Sequence, residues 1–538
     1  MSGTRKPPDR AQPRGPEPAR PAAPPAQAEP ATQAVATRGL SRRSVLALGA
    51  GALGLAGAGG VAGYVAVRSR AVSTVDPKVI AQVEAARQRS GTARSVSLTT
   101  RQAQVDLGGR VVDALTYGGE LPGRPIRVRA GDLLTVDVRN GLNQPTSVHW
   151  HGLAIRNDMD GVPGLTTAPI AAGGSARYRF VVPDPGTYWF HPHSGLQLDW
   201  GLYAPLIVDD PHEPGRYDRE FVVVLDDWSP GLGRTPEQIL ADLKSGAGQS
   251  GGMGGMNGMN GMNGMGGTGG MGGMSGDSGD VDYPAYLVNG RLPTAPTALR
   301  ATPGQRVRLR IINAAADTTF DVALGGHRLT VTHSDGFGVQ PVTVDTIRIA
   351  MGERYDAVVT LADGVFPLSA VPVGKAGSPA RVLVRTGAGA VPGADLVPAG
   401  VHGRRLTLGD LVAEPALRLP DRAPDSVQDV SLAGDMRSYR WTINGRTYDQ
   451  VRPLTVRHGQ LTRLRLLNRS MMAHPVHLHG HTFAVRDGGG ARKDTVVVAP
   501  MQAVTIDVLA DNPGRWMLHC HNAFHMEAGM MTRLDYTT

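Results

Sequence analysis

The sequence predicts an all-β chain built as three tandem β-sandwich domains, and three observations carry that prediction. Three stretches superimpose: IRVRAGDLLTVDVRN (126–140), LRATPGQRVRLRIIN (299–313) and LTVRHGQLTRLRLLN (454–468). In each, a glycine (Gly131, Gly304, Gly459) is followed nine residues later by an asparagine, and the residues between alternate apolar and polar as half-buried strands do. Val/Thr-rich runs punctuated by Gly and Pro fill much of the remainder, while helical periodicity is scarce. At 538 residues the chain exceeds a single core, and its 41% apolar content is ample for several.

Taken in order, residues 1–75 read as a leader, 95–212 as the first sandwich, 217–388 as the second with an insert at 247–280, and 403–538 as the third. Residues 1–37 are rich in Pro, Ala and Arg and too polar to fold. Arg42 and Arg43 then precede an uncharged run, residues 44–67, rich in Gly and Ala. This reads as a twin-arginine export signal, because the Gly/Ala content keeps the run weakly hydrophobic. The other reading is a retained membrane anchor, for which the run is long enough. The leader also explains the formal charge of +8: residues 1–70 hold ten Lys/Arg against three Asp/Glu, so the body is near neutral. A basic groove for nucleic acid is therefore unsupported. With Cys520 as the one cysteine, an internal disulfide is excluded, and the thiol needs a chemical reason to be there.

The repeat locates the histidines. Eighteen residues beyond Gly131 lies His149 of HWHG, and eighteen beyond Gly459 lies His477 of HLHG. Five residues beyond Gly186 and Gly514 begin His191-Pro192-His193 and His519-Cys520-His521. The pairs His149/His151, His191/His193, His477/His479 and His519/His521 thus occupy matching places in the first and third domains. Residues i and i+2 of a strand share a face, so each pair presents two imidazoles together. Eight converging imidazoles imply a metal cluster and not one ion. Cys520 points away from its neighbours and serves a second site, with His474, His525 and Met530 nearby in sequence. Two imidazoles, a thiolate and a weak thioether make a blue-copper ligand set. The first-domain equivalents, Thr146, Pro192, Gln197 and Leu202, cannot form one. His212, His327, His333, His402, His458 and His481 fit no ligand spacing and are expected at the surface or in structural packing.

HWHG, HPH, HPVHLHG and HCHNAFHMEAGM resemble, in order and spacing, the four copper motifs of three-domain multicopper oxidases, the laccases and bacterial cuprous oxidases. The resemblance spans nearly the whole chain beyond the leader and implies cupredoxin-like domains holding four copper ions. It implies a type 1 site of His474, Cys520, His525 and Met530. Type 2 copper then falls to His149 and His477, and the type 3 pair to His151, His191, His193, His479, His519 and His521. The implied reaction takes electrons singly at type 1, accumulates four, and reduces O2 to water at the cluster. Asp160, in DMDGVPG, matches an acid that orients water at the cluster in such oxidases; its other reading is an Asp-Gly turn. Met526 stands where bacterial relatives often place a Glu as proton donor, and Glu527 need not face the same way. Ser470 stands where cuprous oxidases carry an Asp before their Met pair, here Met471 and Met472.

The insert GGMGGMNGMNGMNGMGGTGGMGGM (251–274) spaces Met253, Met256, Met259, Met262, Met265, Met271 and Met274 by multiples of three among glycines, too many for a stable helix. Soft thioethers bind Cu(I), so the expected function is an exported oxidase of Cu(I), extracellular, periplasmic or held at the cell envelope. Fe(II) and phenols are the alternative reductants, and a passive low-complexity insert is the other reading of the segment. A copper nitrite reductase would share the blue site without needing four His-x-His pairs. A non-catalytic copper-binding protein would not need the complete ligand set.

Overall fold

The computed structural model describes residues 76–213, 215–246 and 279–537. The twin arginines, the 44–67 run and the methionine-rich insert lie outside these residues, apart from the last two insert positions, Gly279 and Asp280. Among the described residues no helix is long and apolar enough to cross a membrane.

The second half of each repeated stretch becomes a strand inside a sheet. Leu133–Asn140 lies between Ala93–Asp106 and Ser175–Val181, Arg306–Asn313 between Arg219–Trp228 and Arg354–Thr360, and Leu461–Asn468 between Ser426–Asp435 and Ala503–Leu509. All three run parallel to the first of these neighbours and antiparallel to the second. A second sheet completes each sandwich. In the first domain its order is Ile126–Arg129, Ala204–Asp209, Gly186–His191 and His149–His151. In the third it is Leu454–Arg457, Met531–Thr537, Arg515–Cys520, His474–Leu478 and Thr495–Val498. Inward residues of the two sheets meet as alternation requires: Leu134, Val136 and Val138 pack with Trp150, Phe190 and Leu206. The fold is all-β, three cupredoxin-like sandwiches in tandem.

The repeated glycine and asparagine now have physical reasons. Gly131, Gly304 and Gly459 adopt φ of +84°, +80° and +81°, a left-handed turn into the strand that side chains resist. The asparagines close the other end. Asn140 Nδ2 donates to the carbonyls of Gln144 (2.8 Å), Ile170 (2.9 Å) and Ala171 (3.1 Å), while its Oδ1 accepts from Leu142 N–H (2.9 Å). Asn313 and Asn468 repeat the pattern, Asn468 donating to Met472, Val498 and Ala499. Each buried amide therefore pins the loop that follows the central strand, and in the first and third domains that loop leads directly into a histidine strand.

Two helices frame the sandwiches. Pro77–Ala86 is capped by Asp76 and docks through buried Glu84, whose Oε1 accepts from Val181 N–H at 2.7 Å. Pro236–Ser245 begins with a Thr235/Gln238 capping box.

Replacing Asn140 with Ala leaves several buried backbone groups without partners, at about 1–3 kcal/mol for each. The expected outcome is a urea unfolding midpoint lowered by several kcal/mol equivalent, with Asn140→Asp intermediate because it keeps the acceptor. An unchanged midpoint in Asn140→Ala would remove the asparagine from this role.

Candidate metal centre

Strand alternation sorts the side chains into two sites. On His474–Leu478 the residues His474 and His477 differ by an odd number and face opposite ways; on Arg515–Cys520 the same holds for His519 and Cys520. The two strands pair antiparallel with Val476 opposite Cys520 and His477 opposite His519. One face of this ribbon therefore gathers His474, Cys520 and His525, and the other turns His477, His479 and His519 toward the first domain.

In the first site His474 Nδ1 and His525 Nδ1 approach to 3.1 Å, and Cys520 Sγ lies 3.6 Å from each. Met530 is buried beside them and tied in by its backbone: Cys520 N–H donates to its carbonyl at 3.1 Å, and its own N–H donates to the His525 carbonyl at 3.0 Å. The Trp441 ring packs 4.0 Å from that of His525. The outer nitrogens are held differently. Ser470 Oγ sits 2.7 Å from His474 Nε2, while the Asp280 carboxylate, which also accepts from Tyr439 OH, sits 2.8 Å from His525 Nε2.

The second site is a seam of imidazoles between the first and third domains. His149 stacks on His479 at 3.7 Å and His151 on His477 at 3.8 Å. His193, His479 and His519 form one close group, and His191, His151 and His521 lie with ring centres 4.9–5.7 Å apart. Two carboxylates each bridge the seam. Asp160 accepts from His149 Nδ1 through its carbonyl (3.0 Å) and from His479 Nδ1 through its carboxylate (3.1 Å). Asp494 accepts from His477 Nδ1 through its carbonyl (2.9 Å), and its carboxylate lies 3.2 Å from His151 Nε2. His191 and His519 donate Nδ1–H to the carbonyls of Pro192 (3.1 Å) and Cys520 (2.9 Å).

Beside these engaged nitrogens, seven others, one each on His149, His151, His191, His193 and His477 and both on His521, are buried without a hydrogen-bond partner. Native interiors rarely leave such groups bare, and imidazole lone pairs oriented by outer N–H···O bonds are what a bound metal needs. The residues fit copper: soft thiolate with two imidazoles at one site, imidazoles alone at the other. Burial holds His151, His191, His193, His474, His477, His479, His519 and His521 below the ordinary imidazole range, which keeps them neutral. At His525 burial works against the cation, but Asp280 overrides it and lifts the pKa to about 10.

Every residue expected at a copper site lies in one of these two clusters, and Asp160 is a hydrogen-bonding partner within the second. The other histidines stay apart: His212, His402 and His458 are exposed, His327 caps Ala362 N–H, His333 lies beside Arg308, and His481 bonds Tyr536. Glu527 is half-buried, with Lys244 as the charge acting on it. Asp494 and Asp280 escape sequence reasoning. Asp494 opens an apolar run with no histidine near it, and Asp280 closes the low-complexity insert.

Three cupredoxin-like sandwiches, with a Cys/His site in the third and an imidazole seam against the first, define a copper-dependent oxidoreductase. Protein-family models described as multicopper oxidase match residues 99–213, 219–388 and 421–538. The chain is 48% identical to the multicopper oxidase MmcO of Mycobacterium tuberculosis, over 84% of this chain and 89% of that one. It is 31% identical to a copper resistance protein A homolog of Pseudomonas syringae pv. tomato, over 82% and 92%. The crystal structure of a laccase from Botrytis aclada superimposes with a TM-score of 0.65 at 25% identity, covering 83% of this chain and 88% of that one. The chain belongs to the multicopper oxidase family, copper enzymes that pass electrons from a reducing substrate to O2.

Neutral buried histidines make the copper-free protein acid-sensitive. Below the ordinary imidazole pKa of about 6.5 the unfolded chain takes up protons that the eight depressed histidines of the folded chain refuse, so stability present above that pH is lost as pH falls through it. Chelated protein should therefore show a unfolding midpoint that drops steeply from pH 7.5 to 5.5, and reloading with copper should restore it at neutral pH. A flat profile would mean the imidazoles are not buried and neutral.

Proposed function

We propose an exported oxidase that takes electrons from Cu(I) and delivers them to O2. In this reading His474, Cys520, His525 and Met530 hold a type 1 copper, His149 and His477 a type 2 copper, and His151, His191, His193, His479, His519 and His521 a type 3 pair. Copper bound at these places would supply one-electron acceptance at the first site and four-electron reduction of O2 to two waters, with four protons, at the second. The observation that carries the reading is the placement of Cys520: its thiol faces one cluster while His519 and His521, joined to it through the backbone, face the other.

A soft cationic reductant is supported by the groups around His474 and His525. Asp280 puts a carboxylate on the outer edge of His525, and Met471, 72% exposed, sets a thioether on the loop that leads to His474. Met472 packs partly against the core, a structural placement. The methionine-rich insert adds a string of soft donors in sequence immediately before Asp280. Copper resistance among relatives points the same way, and the twin arginines of the leader support export of a folded protein. The laccase-type reading, with phenolic substrates, is favoured by the likeness to the Botrytis aclada laccase.

Cys520→Ser should abolish the blue thiolate-to-copper absorption and turnover while the imidazole cluster still loads, and Met530→Leu should keep the site with a raised potential. Turnover retained in Cys520→Ser would sink the first-site assignment.

Oxygen uptake with Cu(I), Fe(II) and a phenol, compared side by side in the full protein and in a deletion of residues 251–274, tests the reductant. Cu(I) should be the best donor, and the deletion should slow it alone, with blue colour and copper content unchanged. A phenol preferred over Cu(I) in both proteins would install the laccase reading.

A further inference from the structure

The second domain carries none of the clustered imidazoles, yet its Arg354 side chain reaches the seam. Arg354 is 0% exposed and offers five N–H donors, and all five find an acceptor. Nε donates to the Thr187 carbonyl of the first domain at 3.1 Å. Nη1 and Nη2 form a bidentate pair with Asp494 of the third domain at 2.7 and 2.6 Å. The remaining two N–H groups go to the carbonyls of Gly352 (3.0 Å) and Asp335 (3.2 Å) within the second domain. One guanidinium is thus bonded to all three sandwiches.

We propose that Arg354 is a positioning residue for the copper cluster, acting through Asp494 to set the spacing of His151 and His477. Asp494 has no freedom of its own: Arg354 holds both carboxylate oxygens, and Oδ2 of Asp335 accepts from its backbone N–H at 3.2 Å. Its Oδ1 lies 3.2 Å from His151 Nε2 and 3.4 Å from His477 Nδ1, and accepts from Thr495 Oγ1, which itself lies 3.3 Å and 3.1 Å from the same two nitrogens. These are the stacked rings that face each other across the domain seam. Two glycines make the approach possible. A Cβ on Gly152 would fall 2.3 Å from Arg354 Nη2 and 2.6 Å from Asp494 Oδ2, and one on Gly352 would fall 2.8 Å from the His521 ring. A lysine could keep the charge but not reach three domains from one planar fork.

The inference rests on reading His151 and His477 as copper ligands, and the test separates the two. Full-length protein is loaded with copper as wild type, Arg354→Lys and Asp494→Asn. Copper per chain, the electron paramagnetic resonance of type 2 copper, the blue absorption, the thermal midpoint and steady-state kinetics are then compared. Both variants should keep the blue absorption, whose ligands touch neither residue. Both should show altered type 2 hyperfine splitting or copper content below wild type, with kcat for O2 reduction down about 10–100-fold and the reductant KM unchanged. Arg354→Lys should also lower the thermal midpoint, and the distinction lies in protein held folded below that midpoint, where a purely structural role would leave the type 2 signal and kcat at wild-type values. If Arg354→Lys fails to fold, Asp494→Asn carries the same readout. Wild-type type 2 signals and kcat in the folded variants would overturn the proposal. A wild type that itself lacks a type 2 signal would instead overturn the cluster reading beneath it.

Discussion

On the strand Arg515–Cys520 successive side chains point to opposite faces, so Cys520 and His519 cannot serve the same site. The same alternation separates His474 from His477 on the strand paired with it. Two copper-type sites at fixed separation, joined through backbone, follow from that period alone. The rest of the structure supports this ribbon. The central strand of the third domain ends at Asn468, which pins the loop carrying Ser470 and Met472, and Ser470 in turn holds the outer nitrogen of His474. Asn522 caps the short helix Ala523–Glu527 that returns His525 to the site.

The seam needs more than eight imidazoles. Each ring must be neutral and aimed, and a buried polar group without a partner is costly. Burial supplies the neutrality, while Asp160 and Asp494 aim the rings: Asp160 accepts from His149 and His479, and Asp494 accepts from His477 with its carboxylate 3.2 Å from His151 Nε2. Burial alone would raise the Asp494 carboxyl, but Arg354 and His477 hold it well below the usual carboxylate range. An ionised acid deep in the protein is thereby kept as an acceptor, with its charge answered inside the second domain. Among the described residues, bare buried imidazole nitrogens remain on six histidines of the seam, with both nitrogens bare on His521.

Much of this is legible in the sequence because period and repeat are local properties. The Gly-to-Asn spacing located three sandwiches, and the same count led from Gly131 and Gly459 to the histidines. The oxygens that aim those histidines were harder to see. Asp160 was found through a family motif, and its Asp-Gly neighbourhood gave no hint that the carboxylate crosses to His479, 319 residues away in sequence. Asp494 and Arg354 are 140 residues apart, and neither stands in a histidine motif, so only the docking of domains reveals the pair. Asp280 shows another limit: composition assigned it to a low-complexity insert, whereas its carboxylate is fixed by two partners from the third domain.

The pairing of His151 with Thr495, 344 residues apart, carries a consequence for how the molecule comes into being. A nascent chain that has completed the first sandwich, and even the second, holds half of an imidazole cluster with nothing to close it. The closing residues, from His474 to Met530, leave the ribosome after both of those sandwiches. Metal offered during synthesis would meet isolated His-x-His pairs, each a weak and promiscuous chelator. Selectivity for the complete set of ions is therefore a property of the finished fold, and loading belongs after the third sandwich has docked.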